Sequence, residues 1–468
     1  MTMTINGQYD LSLSELISSL TVALDMTEGQ PKEHSLRCCW IGMHIGQKLN
    51  LIEQDMHDLF FTLLLKDAGC SSNAARICEL YMTDDLNFKK DYKTVGQSLS
   101  SVINFVVTHA GKGNKWRHRI TTAIDILKNG DQYAQELIHT RCSSGADVAI
   151  ELGFRQQVAD GIYNLDEHWD GTGKPNQLSG ESIPLFARIA LIAQVFDVFQ
   201  IEQGLIASSD ELLLRSGTWL DPTLVELARP LANDPNFIQV LQSDSVFDAV
   251  LSLAPAQATV TVDDVYFDNI AAAFGKIIDA KSPFTAGHSE RVAVFSMLIA
   301  EELGISEQEC IWIKRAALLH DVGKLGVSNT ILDKPGKLDD EEWAQVQMHA
   351  TFTYDILKEI KSLQSFAAMT AAHHEKLDGS GYPRHLKGDE ISLLTRIITT
   401  ADIFDAITAE RPYRAAIPVD KTLEIMADSV GTALDPRCFD ALKVALTKLP
   451  PEYTQQLGTD ELPDSPII

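Results

Sequence analysis

Residues 316–326 read AALLHDVGKLG, and residues 62–72 read TLLLKDAGCSS. Both run through mostly apolar residues to a dipeptide ending in Asp, but His320 of the later stretch is Lys66 in the earlier one, and Lys324 is Cys70. The match extends outward. HSER at 288–291 stands 254 positions after HSLR at 34–37, the offset that also separates His320 from Lys66. EKLDGSGYP at 375–383 follows EHWDGTGKP at 167–175 by 208 positions, which pairs Arg396 with Arg188 and Asp405 with Asp197. GTALDP at 431–436 answers GTWLDP at 217–222. Four matches in the same order make the chain a tandem duplication. The fall in offset from 254 to 208 puts 46 extra residues in the first copy, between Cys70 and Arg141.

Helical periodicity dominates each copy. In SERVAVFSMLIAEELGI (289–305) apolar residues recur at i, i+3, i+4 and i+7, and CIWIKRAALLHD, EEWAQVQMHATFTYDILKEI and SLLTRIITTADIFDAI behave alike. Gly/Pro clusters such as DKPGKLDD and DGSGYP punctuate these runs as loops. Alternating strand patterns are few, so the expected fold is all-α. The expected division is a first copy over 1–235 with its insert at 71–140, a linker over 236–262, a second copy over 263–450, and an acidic tail over 451–468. The insert carries a local basic stretch, GKGNKWRHR at 111–119, which reads as a solvated loop or as a regulatory anion site.

The 468 residues hold 39 Lys and Arg against 65 Asp and Glu, a net charge of −26. That balance argues against a polymeric nucleic acid as partner, since such binding rests on basic surface. Seven cysteines without a CxxC pair suit reduced thiols rather than a disulfide framework. No apolar run is long enough to span a membrane, and the start of the chain lacks a signal-peptide pattern. A cytoplasmic protein with no membrane partner is expected.

Residues 288–402 contain His288, His320, Asp321, His349, His373, His374 and Asp402. Any one of these is an ordinary core or surface residue in most proteins. Together, with several closing apolar helical runs, they form a donor set suited to borderline divalent metals. Two metals need about this many ligands, and a carboxylate such as Asp321 can bridge them.

Residues 279–415 resemble an HD-GYP domain, the cyclic-dinucleotide phosphodiesterase branch of the HD superfamily of metal-dependent phosphohydrolases. The motifs that carry the resemblance are HDVGK, HHEKLDGSGYP and DIFDAIT, with the stretch from KPGKLDDEEW to His349 between them. Two tandem HD-type helical domains are the fold it implies. It also implies one metal held by His288, His320, Asp321 and Asp402, and another by Asp321, His349, His373 and His374, with iron or manganese as the ions. Catalysis would rest on Asp321 and on Lys324, whose cation faces the scissile phosphate and steadies the charge that builds there. Lys324, Tyr382, Asp405, Arg411 and Arg414 match substrate-contacting positions. Members with three metals carry an acidic ligand where this chain has Phe284, so a binuclear site is expected.

The implied reaction is hydrolysis of cyclic di-GMP or 3′,3′-cyclic GMP-AMP by a metal-bridging hydroxide. Its product is the 5′-phosphorylated linear dinucleotide, or mononucleotides after a second cut. A receptor that binds the nucleotide without cutting it, and another HD-superfamily nucleotide phosphohydrolase, are the alternatives. In the first copy the ligand positions read His34, Lys66, Asp67, Arg141, Leu165, Asp166 and Gln194. Lys66 and Arg141 would repel a dication, so this copy is expected to be inactive and to serve packing between the copies or homodimerisation.

Overall fold

The computed structural model describes residues 11–95, 99–111, 116–243, 246–411 and 414–449. The 451–468 tail and most of the basic stretch at 111–119 lie outside the described residues. The fold is all-α. Among the described residues the only β features are isolated bridges such as Ser216 with Leu220 and Val430 with Leu434. No helix among them is long and apolar enough to cross a membrane.

The chain forms two compact units. One comprises Asp10–Ala273 with Ser328–Thr330, and the other comprises Phe274–Val327 and the residues from Ile331 on. In the first unit the principal helices are α1 (Leu13–Thr27), α2 (His34–Lys48), α3 (Glu53–Leu65), α4 (Trp116–Glu151), α5 (Gln156–Tyr163) and α6 (Leu185–Gln203). The stretch at 236–262, expected to be a linker, belongs to this unit instead. Two short helices there, Pro235–Leu241 and Val246–Ser252, bury Phe237, Leu241, Val246 and Val250. Phe237 stacks on Trp40 at 6.0 Å between ring centroids. Apolar residues within the stretch thus give it a core to join, despite the Pro residues that interrupt its helical pattern.

Helix α7 (Asp264–Asp279) leads into the second set: α8 (His288–Glu302), α9 (Glu307–Leu319), α10 (Asp340–Leu357), α11 (Gln364–Thr370), α12 (Leu393–Thr408) and α13 (Pro436–Leu446). Their ends follow local chemistry. Ser306 and Ser392 accept from the backbone N–H groups of Glu309 and Thr395 and cap α9 and α12. Asp339 and Glu342 form a reciprocal capping box at the start of α10. Pro436 opens α13 behind the capping carboxylate of Asp435. The inward stripe of α8, Val292, Phe295 and Ile299, is buried, as its periodicity requires.

One close approach fixes the geometry that matters below. The turn after α9 lies against α10 so tightly that a Cβ on Gly323 would sit 2.0 Å from the His349 carbonyl oxygen. Thr353 locks the contact by donating to the His320 carbonyl at 3.0 Å and accepting from the Gly323 N–H at 3.1 Å. The first unit repeats the approach, with Gly69 against the Arg141 carbonyl oxygen.

Candidate metal centre

Each helix contributes donors near one of its ends or from its inward face. His288 opens α8, His320 and Asp321 follow α9, and His349 points inward from α10. His373 and His374 lie in the turn after α11, and Asp402 lies on α12. The structure brings these residues together. Asp321 Oδ2 is 3.4 Å from His288 Nε2 and 3.3 Å from His320 Nε2. Its other oxygen, Oδ1, is 3.5 Å from His349 Nε2 and 3.8 Å from His373 Nε2. Asp402 Oδ1 is 3.4 Å from His288 Nε2, and its Oδ2 is 3.9 Å from His374 Nδ1. The donor atoms of Asp321, His349, His373 and His374 all lie within 4.8 Å of one another, as do those of His288, His320 and Asp321.

The rings are aimed by what they donate to. Nδ1–H of His320 donates to the Ala317 carbonyl at 2.7 Å, that of His349 to Val346 at 2.5 Å, and that of His373 to Thr370 at 2.8 Å. A carbonyl can only accept, so each Nε2 is left as the lone-pair nitrogen facing the cluster. His288 donates from Nδ1 to Asp405 Oδ2 at 2.7 Å. Burial holds His349 at a pKa of about 4 and His374 at about 3, and pushes His373 well below the usual range, so these imidazoles are neutral. Burial opposes protonation of His320 too, but the charges of Asp321 and Asp402 raise it to about 10. Metal uptake therefore displaces a proton from that side of the cluster.

The buried atoms His288 Nε2, His320 Nε2 and Asp321 Oδ1 have no hydrogen-bond partner. Orphaned donors and acceptors of this kind are costly unless something else satisfies them. Divalent metal does so, and the mixed imidazole–carboxylate set is the right chemistry for it.

The residues expected to touch substrate fall into different environments. Lys324 Nζ is 2.5 Å from Asp321 Oδ2, with its side chain 22% exposed at the edge of the cluster. Tyr382 lies 4.8 Å from the His374 ring, centroid to centroid. Asp405 is buried, and both of its oxygens are taken: Arg291 donates to Oδ1 at 2.6 Å and to Oδ2 at 3.0 Å, beside the His288 bond. It supports a ligand rather than facing the cleft. The Arg414 guanidinium donates to the carbonyls of Ile407 and Ala406 and so closes the C-terminal turn of α12. Arg411 meets Arg414 in a backbone bridge.

Replacing Asp405 by Asn keeps its shape but removes the charge that orients His288. Metal affinity is expected to fall about 10- to 100-fold, measured by metal-buffered titration of the full chain. Unchanged affinity would leave the Asp405–His288 bond without a role in metal binding.

Sequence reasoning missed three features. The Arg291 clamp on Asp405 was signalled by Arg recurring in both HSLR and HSER. The Glu375 carboxylate accepts from the backbone N–H groups of Arg384 and Leu386 at 2.7 and 2.9 Å, holding the GYP loop, and Glu167 does the same for Asn176 and Leu178. Its signal was the Glu shared by EKLDG and EHWDG. Trp343, 47% exposed, meets Tyr382 edge-on at 6.1 Å; nothing in the sequence distinguished it from a surface helix residue.

In the first unit the same frame survives without the donors. His34 Nδ1 donates to Asp197 at 2.7 Å, and Arg37 clamps Asp197 as Arg291 clamps Asp405. At the centre, Lys66 pairs with Asp67 and Arg141 with Asp166. The insert adds Lys89 and Lys93, both ion-paired with the buried Glu28. Ammonium and guanidinium groups occupy what would be metal positions.

The family model for the HD domain matches residues 119–224 and 273–438. The chain is 64% identical over 449 residues to 3′3′-cGAMP-specific phosphodiesterase 3 of Vibrio cholerae serotype O1, covering 96% of this chain and 98% of that protein. It is 39% identical over 169 residues to the cyclic di-GMP phosphodiesterase response regulator RpfG of Xanthomonas campestris, a match covering 36% of this chain and 45% of that one. The crystal structure of a V. cholerae cyclic GMP-AMP-specific phosphodiesterase, V-cGAP3, superposes with a TM-score of 0.66 at 57% identity, covering 94% of this chain and 99% of the other.

Proposed function

Because the chain belongs to the HD domain family, we propose that it hydrolyses 3′,3′-cyclic GMP-AMP in the second of two tandem HD domains, the first being a degenerate copy without metals. It is a metal-dependent cyclic-dinucleotide phosphodiesterase. The observation that carries the assignment is the convergence of imidazoles and carboxylates on a centre whose buried donor atoms lack protein partners. Preference for the mixed GMP-AMP messenger rests on the near full-length similarity to a relative named for that substrate.

Bound iron or manganese supplies Lewis acidity, polarising water and clamping the phosphoryl oxygens of an in-line displacement. The protein's own residues do the rest. Carbonyl acceptors and Asp405 hold the ligand rings so that their lone pairs converge before substrate arrives. Lys324 sets an ammonium beside Asp321, where negative charge grows on the phosphoryl oxygens. Tyr382, packed on His374, covers that side of the centre against bulk water. The water oxygen bonds to phosphorus as the P–O3′ bond breaks, giving a 5′-phosphate and a 3′-hydroxyl.

The test is a product assay on reduced, metal-loaded full chain with 3′,3′-cyclic GMP-AMP, cyclic di-GMP and cyclic di-AMP offered separately. Turnover is expected to be fastest for the mixed messenger and absent in His320→Ala/Asp321→Ala. A metal-loaded chain that cuts none of the three refutes the assignment.

A further inference from the structure

Beside the metal centre lies a cavity of about 290 Å³ that none of the ligand residues needs. Its walls include Phe284, Arg291, Asp405, Thr408 and Glu410. One wall, Asp405, is also the acceptor for His288, so the cavity begins a single side chain away from the metal donors. A nucleotide with its phosphate at the metals has its base within reach of such a cavity.

The wall chemistry is selective. Phe284, half-buried, supplies an aromatic surface at the position where a third metal would have demanded a carboxylate. Arg291 is spent on Asp405 and on the Ala286 carbonyl, and the Thr408 hydroxyl donates to the carbonyls of Phe404 and Asp405. Glu410 is the exposed polar group of the lining, and it has no hydrogen-bond partner among the described residues. An aromatic wall with one unengaged carboxylate at the rim matches guanine, whose N1–H and N2–H are adjacent donors that a carboxylate accepts together. Adenine turns the N1 lone pair toward the same carboxylate and is repelled.

We propose that this cavity is the guanine subsite of the substrate, with Phe284 stacking on the base and Glu410 reading its Watson–Crick edge. The assignment rests on the cyclic-dinucleotide reading above and adds the element that selects one of the two bases.

Steady-state kinetics on the metal-loaded full chain separate the two. Phe284→Ala is expected to raise KM for 3′,3′-cyclic GMP-AMP by about 10- to 100-fold, the range that loss of one base–aromatic stack gives. The effect should fall on KM rather than kcat, with metal content unchanged, and Phe284→Tyr should restore KM. Glu410→Gln is expected to shrink the preference for guanine-containing substrates over cyclic di-AMP by about tenfold, the worth of one charge-assisted bond. A Phe284→Ala enzyme with wild-type KM, or one whose defect lies in metal content, overturns the subsite. So does a Glu410→Gln enzyme with its base preference intact. If the wild type itself cuts no cyclic dinucleotide, it is the functional assignment that fails.

Discussion

Replacing Asp321 with Asn is expected to lower turnover by about a thousandfold or more and to reduce bound metal at both positions together. The reason is geometric. Oδ2 of this carboxylate faces His288 and His320 while Oδ1 faces His349 and His373, so one side chain serves both donor groups. Asn keeps the size but loses the charge and turns one face into a donor, which no cation tolerates. Metal ions supply several kcal/mol of transition-state stabilisation, and each ~1.4 kcal/mol is a factor of ten. Metal content by elemental analysis, alongside turnover and circular dichroism, checks the result. A folded variant with two metals and near-normal turnover would remove Asp321 from the centre.

The second large effect is in the copy that performs no chemistry. Lys66 and Asp67 are ion-paired with both side chains fully buried. Burial opposes each charge, yet the pair holds Lys66 above and Asp67 below their ordinary pKa ranges. Lys66→Met strands the carboxylate, and breaking a buried pair from one side costs about 3–5 kcal/mol. Lys66→Met/Asp67→Leu should recover most of that loss, because removing both charges leaves nothing uncompensated. Chemical denaturation of the full chain with and without chelator reads the outcome. Lys66→Met should weaken the transition that chelator leaves alone, and metal content should stay at two ions per chain. Equal stability in the single and double variants would show that the pair is not what holds this centre.

The helices and the metal donors were legible in the sequence because their signals are local or repeated. A 3.6-residue apolar period reports a helix without knowledge of its neighbours. The donors could be found because the second copy keeps what the first has replaced, as at His320 and Lys66. Relations that depend on packing were not legible. Asp405 matched a substrate-contacting position, but only the fold shows its oxygens occupied by His288 and Arg291. Lys89 and Lys93 sit in an insert with no counterpart, so nothing in the repeat pointed to Glu28 as their partner. The stretch at 236–262 looked like a linker because Pro breaks its period, although Phe237 and Val250 give it a core to join.

The cations at the centre of the first copy have a consequence for the life of the chain in a cell. Covalently attached charges cannot be chelated, diluted or exchanged, whereas the second copy depends on ions drawn from a shared supply. Under metal starvation the two halves should therefore part company. The second unit, with Asp321 and Asp402 facing one another across unfilled donors, becomes the softer body and the first target of proteolysis. The first keeps its shape throughout. Nutritional status would thus be written into one half of a single polypeptide, with the other half as its fixed reference.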